Sequence, residues 1–157
     1  PDALGAADGH EHNVGQSVAH PVSRFDLRLR YMAFAGDSEA EVLEARLEHP
    51  FDLAAGWKLN TRVVMSAWVT DFPSADNRRG DYTTGTGDLY TQFFLIAPSK
   101  GDTSIGFGVR NYFPTAGADQ FGKGKYRFAP LVVVQRMASW ISPGSFYGLG
   151  IRNEFSV

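Results

Sequence analysis

The stretch SRFDLRLRYMA, residues 23–33, decides the fold that the sequence predicts. Its side chains alternate in character from one position to the next, one set being apolar and the other mostly charged. The apolar set is Phe25, Leu27, Leu29, Tyr31 and Ala33, and the set between is Asp26, Arg28, Arg30 and Met32. A period of two is typical of a β-strand, whose successive side chains point to opposite faces. We therefore predict a strand with one apolar face and one charged face.

The same alternation continues along the chain. Leu43, Ala45 and Leu47 alternate with Glu44, Arg46 and Glu48. A helix is the alternative there, because Glu, Ala, Leu and Arg are good helix formers, but the spacing favours a strand that Pro50 closes. Further strands are predicted over 57–69, 87–97, 104–113, 126–137 and 146–157. The sequence thus predicts an all-β, antiparallel fold of about seven strands.

The predicted connections differ in length. The connections 70–86 and 114–125 are long and rich in turn-forming residues, whereas 98–102 and 141–145 are short. Long and short connections that tend to alternate are typical of bacterial outer-membrane barrels, and Trp57 near a strand end suits an interfacial aromatic belt. No run of about 18 apolar residues occurs, so no transmembrane helix is predicted. A barrel strand needs only about 10 alternating residues.

Composition excludes several classes of function. The chain has 157 residues, a formal net charge of -2 and no cysteine. Such a charge gives no support for a nucleic-acid partner, and the lack of cysteine excludes disulfides, thiolate catalysis and Cys-based zinc sites. Neither a GxSxG nucleophile elbow nor a GxxxxGK[ST] phosphate loop is present. We therefore predict no enzymatic activity and no cofactor.

Residues 1–20 lack any hydrophobic period, and we interpret them as a flexible or extended leader that precedes the strands of 21–157. His10 and His12 lie two positions apart in this leader, beside Asp8 and Glu11. Two nitrogen ligands on such a segment make a poor metal site. No metal site is predicted.

The charged face carries the functional hypothesis. If the strands close into a barrel with the apolar face outward, the charges line a water-filled lumen, where they stay solvated. The predicted pore-lining residues are Arg28, Arg30, Arg46, Lys58, Arg62, Arg110, Arg127, Arg152, Glu44, Glu48, Asp88 and Glu154. Together with Asp26, the charged face carries eight basic and five acidic groups. This excess of positive charge favours anions. Glycines on this face leave room for bending or for a solute, and the two long loops are predicted to gate the mouth.

Two other classes of protein fit parts of the pattern. A soluble β-barrel or sandwich with one solvated face would bind a small hydrophobic ligand in its interior. A surface or adhesion module would expose aromatic side chains on its loops, and Phe72, Tyr82 and Phe121 are the candidates.

Three stretches carry motifs in a fixed order: TGTGDLYTQFFLIAP (84–98), GFGVRNYFPTAGADQFGKGKYRFAPLVVVQ (106–135) and FYGLGIRNEFSV (146–157). They resemble the "meta-pathway of phenol degradation" family of outer-membrane proteins. The matching positions are Gly85, Gly87 and Asp88; Phe113, Pro114, Thr115 and Ala116; Gly122, Gly124, Lys125 and Tyr126; Ala129 and Pro130; and Phe155 and Ser156. Tyr126 stands where Trp is common in that family, and Ala129 stands where Gly is usual.

The resemblance implies a transmembrane β-barrel of about twelve strands in the bacterial outer membrane. It further implies a passive channel that contacts membrane lipid and conducts small, aromatic or anionic solutes. This chain departs from the family in stopping after about seven strands, since bacterial single-chain barrels have even strand numbers from about eight upward. We therefore expect these strands to be part of a larger barrel, completed by an absent C-terminal part or by pairing between chains. The oligomeric state and the solute stay open.

Overall fold

The computed structural model describes residues 21–34, 38–75, 77–137 and 146–156, and its regular structure is almost entirely β-strand. The strands are β1 Arg24–Ala33, β2 Glu39–Asp52, β3 Lys58–Thr70, β4 Thr83–Thr86, β5 Leu89–Ile96, β6 Thr103–Phe113, β7 Arg127–Met137, β8 Phe146–Arg152 and β9 Phe155–Ser156. Two single-turn 3-10 helices, Ala54–Gly56 and Asp119–Phe121, lie in connections. The leader 1–20, with its two histidines, and the turn 141–145 lie outside the described residues.

All strands belong to one antiparallel sheet in the order β1-β2-β3-β5-β6-β7-β8. β4 prolongs β5 along β3, and β9 prolongs β8 along β7. The sheet is therefore a meander of seven strands, curled into a half-barrel. The predicted all-β antiparallel class and strand number are confirmed.

Two strand boundaries differ from the prediction. β2 continues through Pro50, because the last pair with β1 is Arg24–Glu48 and β2 beyond it has a free edge that tolerates a missing N–H. The predicted strand 87–97 begins earlier, as β4, and is interrupted at Gly87 and Asp88. The contacts of Asp88 with a loop, described below, account for this interruption.

The register sorts the side chains onto two faces by the parity of their residue numbers. The inner face carries the even-numbered positions of most strands but the odd-numbered positions of β4 and β7, because Glu48 pairs with Arg62, Arg62 with Gln92, Gln92 with Arg110 and Arg110 with Ala129. The other positions face outward and are mostly apolar; Phe25, Leu29 and Leu149 are 64%, 72% and 70% exposed. The two faces predicted from the alternation are those that the register produces.

Buried apolar side chains lie on the inner face of the central strands. Phe94, Ile96 and Leu131 form a small cluster, and Val133 packs against it. Gly106 and Gly108 on β6 allow the Phe94 ring to approach the backbone, since a Cβ at Gly106 would lie 2.4 Å from Phe94 Cε1. The space that these two glycines were expected to leave for a solute is occupied by Phe94.

The two longest connections between the strands lie at the same end of the sheet, which also carries the short connection from β1 to β2. β3 and β6 run in the same direction, so the long connections 71–82 and 114–126 lie at one end, here called the loop end. The short connections 53–57 and 97–102 lie at the opposite end. Within the described ranges, no helix has the length and apolarity needed to cross a membrane.

The closest backbone approach on the inner face yields a stability prediction. A Cβ at Gly108 would lie 2.2 Å from the carbonyl oxygen of Phe93, so Gly108→Ala forces β5 and β6 apart. We expect the free energy of unfolding to fall by about 1–3 kcal/mol in chemical denaturation. The control is Gly150→Ala, where the nearest side-chain atom would lie at an ordinary 3.5 Å. An equal loss in both variants would contradict this account.

Candidate functional site

The inner face of β1–β3 carries a row of charges centred on Glu48, which is only 5% exposed. Its carboxylate accepts hydrogen bonds from Asn60 Nδ2 at 2.7 Å and from Arg62 Nη2 at 3.0 Å, both on β3. From β1, Arg24 Nη2 lies 3.1 Å from Glu48 Oε2. The register dictates this grouping, because Glu48 is the direct cross-strand partner of both arginines. One carboxylate thus links three strands.

Two further ion pairs extend this row of charges towards the loop end, and we call the whole row the charge ladder. Arg46 donates to its cross-strand partner Asp26, with Nε 2.8 Å from Oδ2. Arg30 reaches diagonally to Glu44, with 2.9 Å between Nη2 and Oε2. Most charge on this part of the inner face is therefore neutralised by neighbouring strands. The prediction omitted Arg24, although its even number places it in the row with Asp26.

A second cluster, on β5–β7, combines arginines with tyrosines. Tyr90 and Tyr112 are cross-strand partners whose rings stack at 5.0 Å with 19° between their planes. The Arg110 guanidinium lies 5.7 Å from the Tyr90 ring centroid, and the Arg127 guanidinium lies 4.2 Å from that of Tyr112. We call these four residues the tyrosine–arginine cluster. Such cation–π geometry gives a flat surface that carries positive charge.

The two arginines of the tyrosine–arginine cluster have different partners. Arg110 Nε donates to the neutral amide oxygen of Gln92 at 2.8 Å, so the cation keeps its net charge. Arg127 Nη1 lies 2.6 Å from Glu154 Oε1. The alternation puts Tyr90 on the same face as Asp88, and Tyr112 on the same face as Arg110, but gives neither tyrosine a role. Their stacking depends on the β5–β6 register, which alternation within one strand does not reveal.

Connection 114–126 crosses the inner face at the loop end. Phe121 from this loop is buried at 6% exposure, against the backbone of Gly85 in β4. The expectation that Phe121 is an exposed loop aromatic is therefore wrong. Gly85 provides a surface without a side chain, and a single loop residue gives no periodic signal that would have placed it there. Phe72 and Tyr82, in contrast, are 45% and 64% exposed.

A groove of about 410 Å³ lies between this loop and the sheet. Its walls are Glu44 from β2, Ser66 and Trp68 from β3, Tyr90, Tyr112 and Arg127 from β5–β7, and Asp88 with Phe121, Gly122 and Lys123 from the loop side. The groove offers aromatic surface together with charges of both signs. A volume in this range suits a small molecule.

The structure brings only part of the predicted pore-lining set to the groove. Glu44, Asp88 and Arg127 line it, while Arg30 and Arg110 contact residues that do. Arg46, Arg62 and Glu48 belong to the charge ladder, and Glu154 pairs with Arg127. Lys58 lies at the opposite end, 3.6 Å from the exposed Asp52. Arg28 and Arg152 are exposed on the two flanking strands and form no ion pair with a described residue.

Connection 71–82 is folded by its own contacts at the rim. Asn77 is buried and bridges the loop, donating from Nδ2 to Asp81 O at 2.7 Å and accepting from Asp81 N at 3.1 Å. The hydroxyl groups of Tyr31 and Tyr82 both donate to Glu39 at the start of β2. The bond to this carboxylate raises the pKa of Tyr82 to about 12. The bond from Tyr82 thereby attaches this connection to the start of β2.

No group of three or more His, Cys, Asp or Glu residues in the described part of the chain could hold a metal ion. Comparison with family models, with curated proteins and with solved structures gives no match to this chain. The family resemblance therefore rests on the motif residues themselves. Several of them, Gly85, Asp88, Thr115, Ala116 and Gly122, meet in the structure at the loop 114–126.

Neutralising Glu48 tests the charge ladder. In Glu48→Gln, Arg62 loses its counter-charge in a mostly buried position and Arg24 keeps only Asp26, 3.5 Å away, so we expect the free energy of unfolding to fall by about 3 kcal/mol. The control is Asp52→Asn, which removes an exposed partner of Lys58 and should cost nothing measurable. A loss in Glu48→Gln no larger than in the control would rule out a stabilising ladder.

The Tyr82–Glu39 bond predicts a titration at high pH. Because the Tyr82 pKa is raised above its ordinary value of 10.0, the stabilisation is complete below that value and disappears as the pH rises through about 12. Ultraviolet titration should detect one tyrosine ionising near pH 12 that is missing in Tyr82→Phe. If the phenol missing from the variant is one that ionises near the ordinary value of 10.0, the bond does not form in solution.

Proposed function

We propose that this chain is part of an outer-membrane β-barrel that acts as a passive channel for small anionic or aromatic molecules, and that it is not an enzyme. The observation that carries the proposal is the orientation of the two faces. The sheet turns its charged face towards the inside of the curl and exposes the apolar face. A water-filled lumen surrounded by lipid accommodates this arrangement.

The dimensions of the apolar face support a membrane position. On β3, outward-facing apolar side chains extend from Leu59 to Val69, which is about 33 Å at about 3.3 Å per residue. A strand tilted by about 40° would span about 25 Å of this length along the membrane normal, the height of the apolar band in such barrels. The soluble alternative expects the apolar face to be buried, and Phe25, Leu27 and Met65 are all more than 60% exposed.

Aromatic rings lie near both ends of the outer face, as interfacial belts require. At the loop end, the rings of Phe113, Tyr126, Phe128 and Phe155 form a row with centroid separations of 5.6, 6.5 and 5.2 Å. At the opposite end, Trp57 packs edge-on against Phe107 at 6.2 Å.

The inner face supports a preference for anions. Arg28, Arg110 and Arg152 have no carboxylate partner among the described residues, whereas each acidic group of the ladder is paired with arginine. Unpaired guanidinium groups in a lumen attract anions. The tyrosine–arginine cluster adds a surface on which an aromatic anion could stack and pair at the same time.

Solubility gives the first test. We expect the folded protein to require detergent and to partition into membranes, because its apolar face would otherwise contact water. A monodisperse, folded protein in detergent-free buffer would contradict the membrane proposal and favour the soluble binder.

Ion selectivity tests the role of the inner cations. In planar bilayers with a salt gradient, the reversal potential should indicate that anions carry most of the current, and Arg110→Gln should shift the permeability ratio towards unity. The control is Lys100→Gln, which removes an exposed charge from the short connection 97–102. A cation-selective wild-type channel, or equal shifts in both variants, would contradict the assignment.

A further inference from the structure

The loop 114–126 is held on the inner face from both sides of Phe121. Asp88 Oδ1 accepts a hydrogen bond from Ala116 N at 3.3 Å, and Oδ2 accepts one from Lys123 N at 2.9 Å. Thr115 Oγ1 accepts a bond from Leu89 N at 2.8 Å. These contacts flank Phe121 on its N-terminal and C-terminal sides, so the segment between them is fixed as a unit.

We call these contacts of Asp88 and Thr115 the clasp, and they coincide with the interruption between β4 and β5. Residues Gly87 and Asp88 leave the strand there, so that Thr86 O is free to accept a bond from Gly117 N at 3.1 Å. A Cβ at Gly85 would lie 2.2 Å from Phe121 Cε2, which means that the ring rests directly on the strand backbone. The broken strand, the carboxylate and the ring therefore form one packed unit.

We propose that Phe121 is a fixed constriction that limits the size of the solute, and that Asp88 is the positioning residue that holds it in place. The inference deepens the proposed channel function and rests on it. It assigns Asp88 a role different from that of a pore-lining charge, because both of its oxygens are engaged by backbone N–H groups. It also distinguishes the two long loops, since 114–126 is held on the inner face and 71–82 is attached at the rim.

The groove explains why an anchored loop limits passage. At the loop end, a solute has to pass between Phe121 and Lys123 on one side and Glu44, Trp68 and Tyr112 on the other. The space between them, about 410 Å³, is at the lower end of the volumes of about 300–1,000 Å³ that hold drug-sized ligands. Removing the ring or releasing the loop would enlarge it.

Solute size is the first readout. In liposome swelling with neutral sugars of increasing length, we expect Phe121→Ala and Asp88→Ala to raise the permeation of a trisaccharide several-fold relative to a monosaccharide. Asp88→Asn keeps one acceptor oxygen and should lie between Asp88→Ala and the wild type. The matched control is Phe51→Ala, which removes an outward-facing ring at the opposite end and should leave the size limit unchanged.

Proteolysis tests the clasp without any need for conductance. Lys123 and Lys125 are trypsin sites within the anchored loop, and Arg78 and Arg79 are sites in the other long loop. In detergent, Asp88→Ala should be cleaved several-fold faster at Lys123 and Lys125 than the wild type, with no change at Arg78 and Arg79. Unchanged cleavage would overturn the positioning role of Asp88.

The outcomes separate this inference from the function on which it rests. If the wild type conducts nothing, the channel proposal fails and the constriction fails with it, whatever trypsin shows. If the wild type conducts and the size limit is the same in Phe121→Ala and Asp88→Ala, the constriction alone is overturned. If Asp88→Asn and Asp88→Ala shift ion selectivity equally and leave the size limit intact, Asp88 acts as a lumen charge instead.

Discussion

The pairing of Glu48 with arginines on both neighbouring strands is the constraint on which the rest of the sheet depends. A slip of one residue between β2 and either neighbour would turn Arg24 or Arg62 to the outer face and remove one of the two counter-charges of Glu48. The ion pair of Arg46 with Asp26 imposes the same register one step further along β1 and β2. The charges therefore specify which residues face each other, in addition to any net stabilisation that they provide.

This constraint divides the half-barrel into two regions. On β1–β3 the inner face is held by ion pairs and amide contacts, with few buried apolar groups beyond Ala40, Val42 and Val64. On β5–β7 it is held by Phe94 lying over two glycines and by stacked tyrosines. The groove lies where the two regions meet at the loop end, so it takes Glu44 and Trp68 from one region and Tyr90, Tyr112 and Arg127 from the other.

The sequence predicted those features that depend on one strand at a time. The period of two is a property of each segment, so the apolar face of β1 and the charged face of β2 were both predicted before any strand was paired. Contacts between segments were not predictable in this way. The stack of Tyr90 on Tyr112 requires the β5–β6 register, and the burial of Phe121 requires a glycine 36 positions earlier in the chain. Loop residues carry no period, and for that reason Phe121 was expected at the surface.

The clasp gives a physical meaning to motifs that are separate in the sequence. Gly85 has to lack a side chain because the Phe121 ring lies on it, and a Cβ at Gly122 would lie 2.4 Å from Ala116 Cβ and 2.5 Å from Asp88 Oδ1. The Gly-x-Gly-Asp stretch, the small residue after Pro-Thr and the later glycine are thus the parts of one contact. The motif resemblance consequently concerns the geometry of the loop, and in the proposed channel the choice of solute would depend on inner-face residues outside the matched positions, above all Tyr90, Arg110 and Tyr112.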